Sequence, residues 1–151
     1  MTMIVVMPVL ALMLDQSLSL IRRNVSVVAL SGSIQSLDHR LVGAILAGEV
    51  EVLFLTPEKL ELPSVCGMID IMHRAGSVRH FVIDEAHCIS AWGHDFRTDY
   101  QKLSSLRNNY NDVPIVALTA TATDNVVRDI SASLHLKKPV LFTQSFNRPN
   151  L

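Results

Sequence analysis

Asp84 and Glu85 stand side by side at the end of the run Val78–Ile83, and Ala86, His87 and Cys88 follow directly. Two adjacent carboxylates closing an apolar strand are costly to desolvate, so such a pair points to a use. The chemistry open to them is that of a nucleotide hydrolase. The first can hold Mg²⁺, usually through water, because that ion prefers oxygen ligands and keeps part of its hydration shell. The second can orient and deprotonate the water that attacks a γ-phosphate, and His87 can relay the state of the nucleotide to neighbouring loops. For a lone Asp-Glu pair, a solvated turn at a strand end is the favoured reading. A hydrolytic metal centre drawn from His80, Asp84, Glu85, His87 and His94 is the weaker alternative, since their spacings match no common zinc pattern.

A second group of residues follows within a few positions. Trp92, Phe96 and Arg97 combine flat aromatic faces, which stack on bases regardless of sequence, with a guanidinium that pairs with phosphate or stacks. Core filling would explain the two aromatics, but Gly93, His94 and Asp95 between them make a poor core segment. The formal net charge of −1 provides no global basic field. Any contact with nucleic acid must therefore be local, made by backbone amides, helix ends and a few side chains.

The elements that must position these residues are legible as short β-branched runs alternating with helix-period segments. Strands are predicted at Met3–Met7, Val25–Leu30, Glu51–Leu55, Val78–Ile83, Pro114–Leu118 and Val140–Phe142. Their nearly continuous apolar character suits strands covered on both faces. Ile34, Leu37, Leu41 and Ile45 share one helical face, as do Val126, Val127, Ile130 and Leu134, and further helices are predicted at Val9–Arg22, Pro63–Arg74 and Thr98–Asn108. Strands separated by helices imply right-handed crossovers and a parallel α/β sheet, in which ligands gather where strands end and loops turn into helices. With 151 residues, 49% hydrophobic and 18% charged, the chain has the size and interior of one domain and is not a disordered tail. Cys66 and Cys88 lack CxxC spacing, which argues against a disulfide framework or zinc ribbon and for a reducing compartment. The apolar opening Met1–Leu14 has no basic leader, contains Pro8 and stops at Asp15, so it reads as a buried strand running into a helix rather than a signal or membrane span.

The block Asp84–Tyr100, DEAHC followed by ISAWGHDFRTDY, resembles motif II and the aromatic-rich loop of RecQ-type ATP-dependent DNA helicases, a DEAH-type branch of superfamily 2. The resemblance implies that Asp84 and Glu85 serve Mg²⁺ and ATP, and that Trp92, Phe96 and Arg97 sense single-stranded DNA and couple it to hydrolysis. Ala117–Thr123 is similar to motif III, which links nucleotide state to lobe movement; its hydroxyls, Thr119 and Thr121 among them, can bond to backbone and to the motif II carboxylates. Thr123 also suits a helix N-cap. Leu55–Leu60 looks like motif Ib, with Thr56 as cap and Pro57 at the first helical position, a helix start that also offers free N–H groups to a DNA phosphate. Val5–Gln16 resembles motif Ia, which brings Pro8 and Gln16 to DNA. Met7 stands where the family usually has Ser, and the loss removes a helix cap worth about 1 kcal/mol and a hydroxyl able to touch phosphate. Thr98 stands where many members have Pro. Ser145–Leu151 matches the segment where the family chain leaves the first lobe for the second.

The resemblance implies a RecA-like lobe of P-loop NTPase type, residues 1–151 running from motif Ia to the end of the first lobe. The family's ATP site begins with a glycine-rich loop ending in Gly-Lys-Ser or Gly-Lys-Thr, and this chain has no Gly-Lys pair. The upstream glutamine motif and the second lobe, with its arginine finger, are also expected to be missing. The phosphate-loop strand of such folds sits between the strands corresponding here to Pro114–Leu118 and Val140–Phe142. Its absence is expected to leave two unpaired inner edges or to make the strands close up, with marginal stability and no ATP turnover by the chain alone. The function implied is part of a 3′–5′ DNA helicase acting on single-stranded and branched DNA in recombination, replication and repair, with a second helicase lobe as partner and the nucleus as its place. The alternative is a non-catalytic module that binds DNA or a partner. An RNA helicase of a related DEAH or DEAD branch is disfavoured by the Trp92–Arg97 loop.

Overall fold

A computed structural model describes residues 1–31 and 38–144. Five parallel strands form one sheet: β1 (Thr2–Val6), β2 (Val27–Leu30), β3 (Val52–Leu55), β4 (Val78–Ile83) and β5 (Ile115–Ala117), in the order β2-β3-β1-β4-β5. Six helices flank it: α1 (Leu10–Ile21), α2 (His39–Leu46), α3 (Pro63–Arg74), α4 (Thr98–Gln101), α5 (Ser104–Asn109) and α6 (Asp124–Ser133). The continuous apolar runs are explained by burial on both faces. Ile4, Val6, Leu53, Leu55, Phe81 and Ile83 join the larger core, while Val5, Phe54 and Val82 alternate with them into a smaller one shared with Met7 and Met13. The parallel α/β architecture read from the sequence is therefore the observed one. Because β1 lies inside the sheet between β3 and β4, the chain segments after these strands emerge together at their carboxyl ends.

Helix α3 has the predicted bounds, and α1 differs from its prediction by one residue at each end. Val126, Ile130 and Leu134 are buried from α6, as their spacing requires, and Thr123 caps that helix by accepting a hydrogen bond from the Val126 N–H. Of the other helical face, Ile45 is buried on α2, whereas Ile34 and Leu37 lie outside the described residues. No side chain caps α1, whose N-cap is Val9, and Met7 is fully buried in the smaller core. Among the described residues, no helix is long and apolar enough to cross a membrane.

Three predictions need correction. The helix expected over Thr98–Asn108 is divided into α4 and α5, because Leu103, Ser105 and Leu106 donate to carbonyls three residues back. That tighter winding aligns residues three apart, and it buries Tyr100, Leu103 and Leu106 together. Pro57–Glu61 is a 3-10 turn rather than the start of a regular helix, and Thr56 makes no side-chain cap bond. Leu62, extended at ψ 125° before Pro63, separates the turn from α3, as expected for a residue preceding proline.

The third correction concerns Val140–Phe142, which form no strand. Strand β5 pairs only with β4, so its other edge has no ladder partner among the described residues. The two segments have not closed up. A groove of about 520 Å³ separates them, lined by Val116, Leu118, Val127, Ile130 and Val140–Phe142 among others. Phe142 is 90% exposed. A strand needs a neighbour for its N–H and C=O groups, and among the described residues Val140–Phe142 pairs with none.

Candidate active site and nucleic-acid interface

The two carboxylates sit where β4 ends. The Asp84 N–H donates to the Val6 carbonyl and the Ala86 N–H to the Leu118 carbonyl, so the ladders to both neighbouring strands hold the turn from either side. Glu85 between them adopts φ 52° and ψ 41°, a left-handed conformation that a non-glycine residue enters at a cost and that recurs at functional sites. The Asp84 carboxylate accepts the Glu85 N–H through Oδ1 at 2.9 Å, and the Asp84 carbonyl accepts the Tyr100 hydroxyl at 2.9 Å. Tyr100 is fully buried. It therefore acts as a post under the turn, fixing the peptide that carries the first carboxylate.

His87 links this turn to the segment after β5. It is 4% exposed, and its Nδ1 lies 3.0 Å from Thr119 Oγ1 and 3.3 Å from Glu85 Oε2. Thr119 Oγ1 in turn accepts the Thr121 N–H at 3.1 Å. The hydroxyl of Thr119 thus meets His87, and not the carboxylates of Asp84 or Glu85 as the sequence had suggested. His87 Nδ1 lies within reach of both Thr119 and Glu85, so the link between them runs through the histidine. Thr121 is exposed and joins the network through its backbone.

The aromatic loop rises directly from the same turn. Trp92 is 74% exposed and Phe96 41%, which removes core filling as their explanation. Two exposed aromatics beside Arg97 offer π-faces and a cation to a strand of bases. Asp95 holds the guanidinium of Arg97 in place, with Oδ2 at 3.0 Å from Nη2 and 3.2 Å from Nε, and this bond raises the already high affinity of Arg97 for its proton. His94 stacks on His87, ring centroids 4.4 Å apart and planes 18° from parallel. The loop therefore touches the carboxylate turn through two imidazoles, a contact that sequence spacing did not reveal because nothing in it shows the loop folding back. Gly93 makes that fold possible: a Cβ there would stand 2.4 Å from the His87 carbonyl oxygen.

Pro8 and Thr56 come together in a cleft of about 410 Å³ with Leu10, Glu58, Lys59 and Leu62. Pro57 is buried beneath it, and Gln16 is exposed on α1 and does not line it. Lys59, missed by the sequence reading, is only 9% exposed and places a cation at this cleft. Between Glu58 and Leu60, in a turn that also ends in Glu61, nothing in the sequence marks it as buried.

For Mg²⁺, the donors present fit an ion held by one carboxylate and water. Asp84 is partly exposed at the strand end with only one of its oxygens bonded to the protein, and no cluster of three or more His, Cys, Asp or Glu exists among the described residues. A zinc-type centre is excluded for these residues by the same observation. The Cys88 thiol is held in its protonated form. Burial, and then the charge of Asp95, push its thiol up to about 11. Iodoacetamide at neutral pH is expected to leave Cys88 unmodified in the folded protein and to label it once guanidinium unfolds the chain, as followed by mass spectrometry.

The family pattern of the DEAD/DEAH box helicases matches residues 1–130. The chain belongs to the DEAD/DEAH box helicase family. Its similarity to RecQ-type members extends along nearly its whole length. It is 40% identical to ATP-dependent DNA helicase Q-like 4B of Arabidopsis thaliana over 98% of this chain and 13% of that protein. It is also 40% identical to RecQ-like DNA helicase blm-1 of Caenorhabditis elegans over 98% of this chain and 16% of that one. The chain thus spans less than a quarter of the length of either relative. The fold is similar to the helicase domain of Pyrococcus furiosus Hef, with a TM-score of 0.54 and 21% identity over 89% of this chain and 27% of that structure.

Proposed function

We propose that this chain is part of the first motor lobe of a RecQ-type 3′–5′ DNA helicase, in which ATP hydrolysis at Asp84 and Glu85 is coupled to single-stranded DNA at Trp92, Phe96 and Arg97. The observation that carries this reading is the His87–His94 stack, which puts the carboxylate turn and the exposed aromatics in one rigid contact. A nucleotide that shifts the carboxylate turn would reach the loop through His87, which touches both His94 and Thr119.

Bound Mg²⁺ neutralises developing phosphate charge; Asp84 would hold it through water. Glu85 orients the attacking water and takes its proton, with His87 beside it at 3.3 Å. The Pro8–Thr56 cleft with Lys59 takes backbone phosphate, and Arg97 pairs with phosphate when DNA draws it from Asp95. Branched DNA is the substrate class, the nucleus the compartment, and recombination, replication and repair the processes; a second lobe closes the ATP site. The chain by itself lacks the Gly-Lys loop that cradles β- and γ-phosphates, so it does not turn over ATP.

Single-turnover ATP hydrolysis by the 151-residue chain, with and without oligothymidine, is expected at background level. DNA-stimulated turnover that Glu85→Gln abolishes would overturn the claim of inactivity. The open groove beside β5 favours a second reading, a non-catalytic binding module. That reading leaves the carboxylate turn without a use.

A further inference from the structure

Ser90 lies between the catalytic turn and Trp92, and its hydroxyl is 1% exposed with the rest of the residue. It donates to Asp129 Oδ2 on α6 at 2.5 Å and accepts the Trp92 N–H at 3.1 Å. The Ser90 N–H donates to the His87 carbonyl, and the Ser90 carbonyl accepts the Gly93 N–H. Each polar atom of Ser90 thus has a partner, and one of them is a carboxylate. Such a charge-assisted bond is short and strong, and it polarises the hydroxyl that receives the Trp92 amide. Asp129 comes from a helix that opens at Asp124, directly after the Thr119–Thr123 segment that contacts His87.

We propose that Asp129 is a positioning residue for the Trp92 loop: through Ser90 it fastens the root of the loop to α6, so that the stance of Trp92 follows the stance of that helix. The inference rests on reading the loop as the DNA contact. It adds a second route between the segment after β5 and the aromatics, parallel to the one through His87 and His94. The imidazole route senses the nucleotide turn, whereas the Asp129 route senses where α6 stands.

Trp92 is the only tryptophan in the chain, so its fluorescence reports on the loop without a label. In the 151-residue chain, Asp129→Ala and Ser90→Ala are each expected to lower Trp92 fluorescence anisotropy at unchanged far-UV circular dichroism. They should also weaken oligothymidine binding about tenfold, because a loosened loop must be ordered on binding. The double variant should be no worse than either single one. Asp129→Asn, which keeps an acceptor, and Ser90→Thr, which keeps the hydroxyl, should restore most of the anisotropy, a rescue that a packing role alone would not produce. Unchanged anisotropy and affinity in Asp129→Ala, or losses that add in the double variant, would overturn the proposal. If the alanine variants lose their fold, Asp129→Asn and Asp129→Leu, of nearly the same size, decide: anisotropy and affinity kept in the Asn variant and lowered in the Leu variant support the proposal, and equal values in the two overturn it. A wild-type Trp92 that ignores oligothymidine, with anisotropy still falling in Asp129→Ala, sinks the DNA reading and leaves the anchor standing.

Discussion

Glu85→Gln in the native polypeptide is expected to bind ATP and Mg²⁺ normally and to hydrolyse ATP about 10²- to 10⁴-fold more slowly, with oligothymidine no longer stimulating the rate. The glutamine amide keeps the size of the side chain and loses the ability to take a proton. Its left-handed backbone, set by the ladder bonds of Asp84 and Ala86 on either side, does not depend on the charge. Stability should therefore stay within about 0.5 kcal/mol of wild type, as for other substitutions of partly exposed side chains. Asp84→Asn differs in kind, since it removes the charge that Mg²⁺ needs, and nucleotide affinity should fall together with rate. The check is a pair of measurements on the same preparation: Mg²⁺-dependent nucleotide binding and single-turnover hydrolysis. Full hydrolysis by Glu85→Gln would mean that another group acts on the water.

Tyr100→Ala is expected to be the most destabilising single change near the site, by about 3–5 kcal/mol, because it empties the space of a fully buried ring and orphans the Asp84 carbonyl. Domains of this kind have only about 5–15 kcal/mol in total, so a loss of this size is a large share of it. Tyr100→Phe separates the two contributions. It keeps the packing and removes only the hydrogen bond, so its cost should be about 1 kcal/mol in urea melts. If Phe cost as much as Ala, the hydroxyl rather than the ring would be what holds the carboxylate turn.

Much of this fold could be read from residue type because burial on both faces makes parallel strands conspicuous. Val78–Ile83 and Pro63–Arg74 were recovered with their bounds. The failures have physical causes. Val140–Phe142 has the composition of a strand, but a strand exists only with a partner, and composition does not carry partners. The Thr98–Asn109 segment winds in threes for part of its length so that Tyr100, Leu103 and Leu106 share one buried line, which an ideal helical period does not anticipate.

The candidate site was legible to the extent that chemistry is carried by adjacent residues. Asp84, Glu85 and His87 announce themselves at the end of a strand, and the structure places Trp92 and Phe96 in solvent beside them. What the sequence could not show were contacts between distant or folded-back segments: His87 with Thr119, His87 with His94, Ser90 with Asp129 and Tyr100 with the Asp84 carbonyl. These contacts join three of the motifs, and helix α6, in one contiguous network. Lys59 was missed for a related reason, since its burial at the Pro8–Thr56 cleft arises from the 3-10 turn and not from its neighbours in sequence.

This lobe is proposed to work as one part of an ATP-driven helicase, so the size of the native product that carries it is the measurement to make. An antibody raised against Ile89–Tyr100, a segment with the exposed Trp92 and Phe96 at its centre, would be used on extract of the source cells. The account predicts a band several times larger than a 151-residue chain, whose immunoprecipitate hydrolyses ATP in response to single-stranded DNA. A band at the size of the chain alone, with no such activity, would contradict it and make binding without catalysis the function of this lobe.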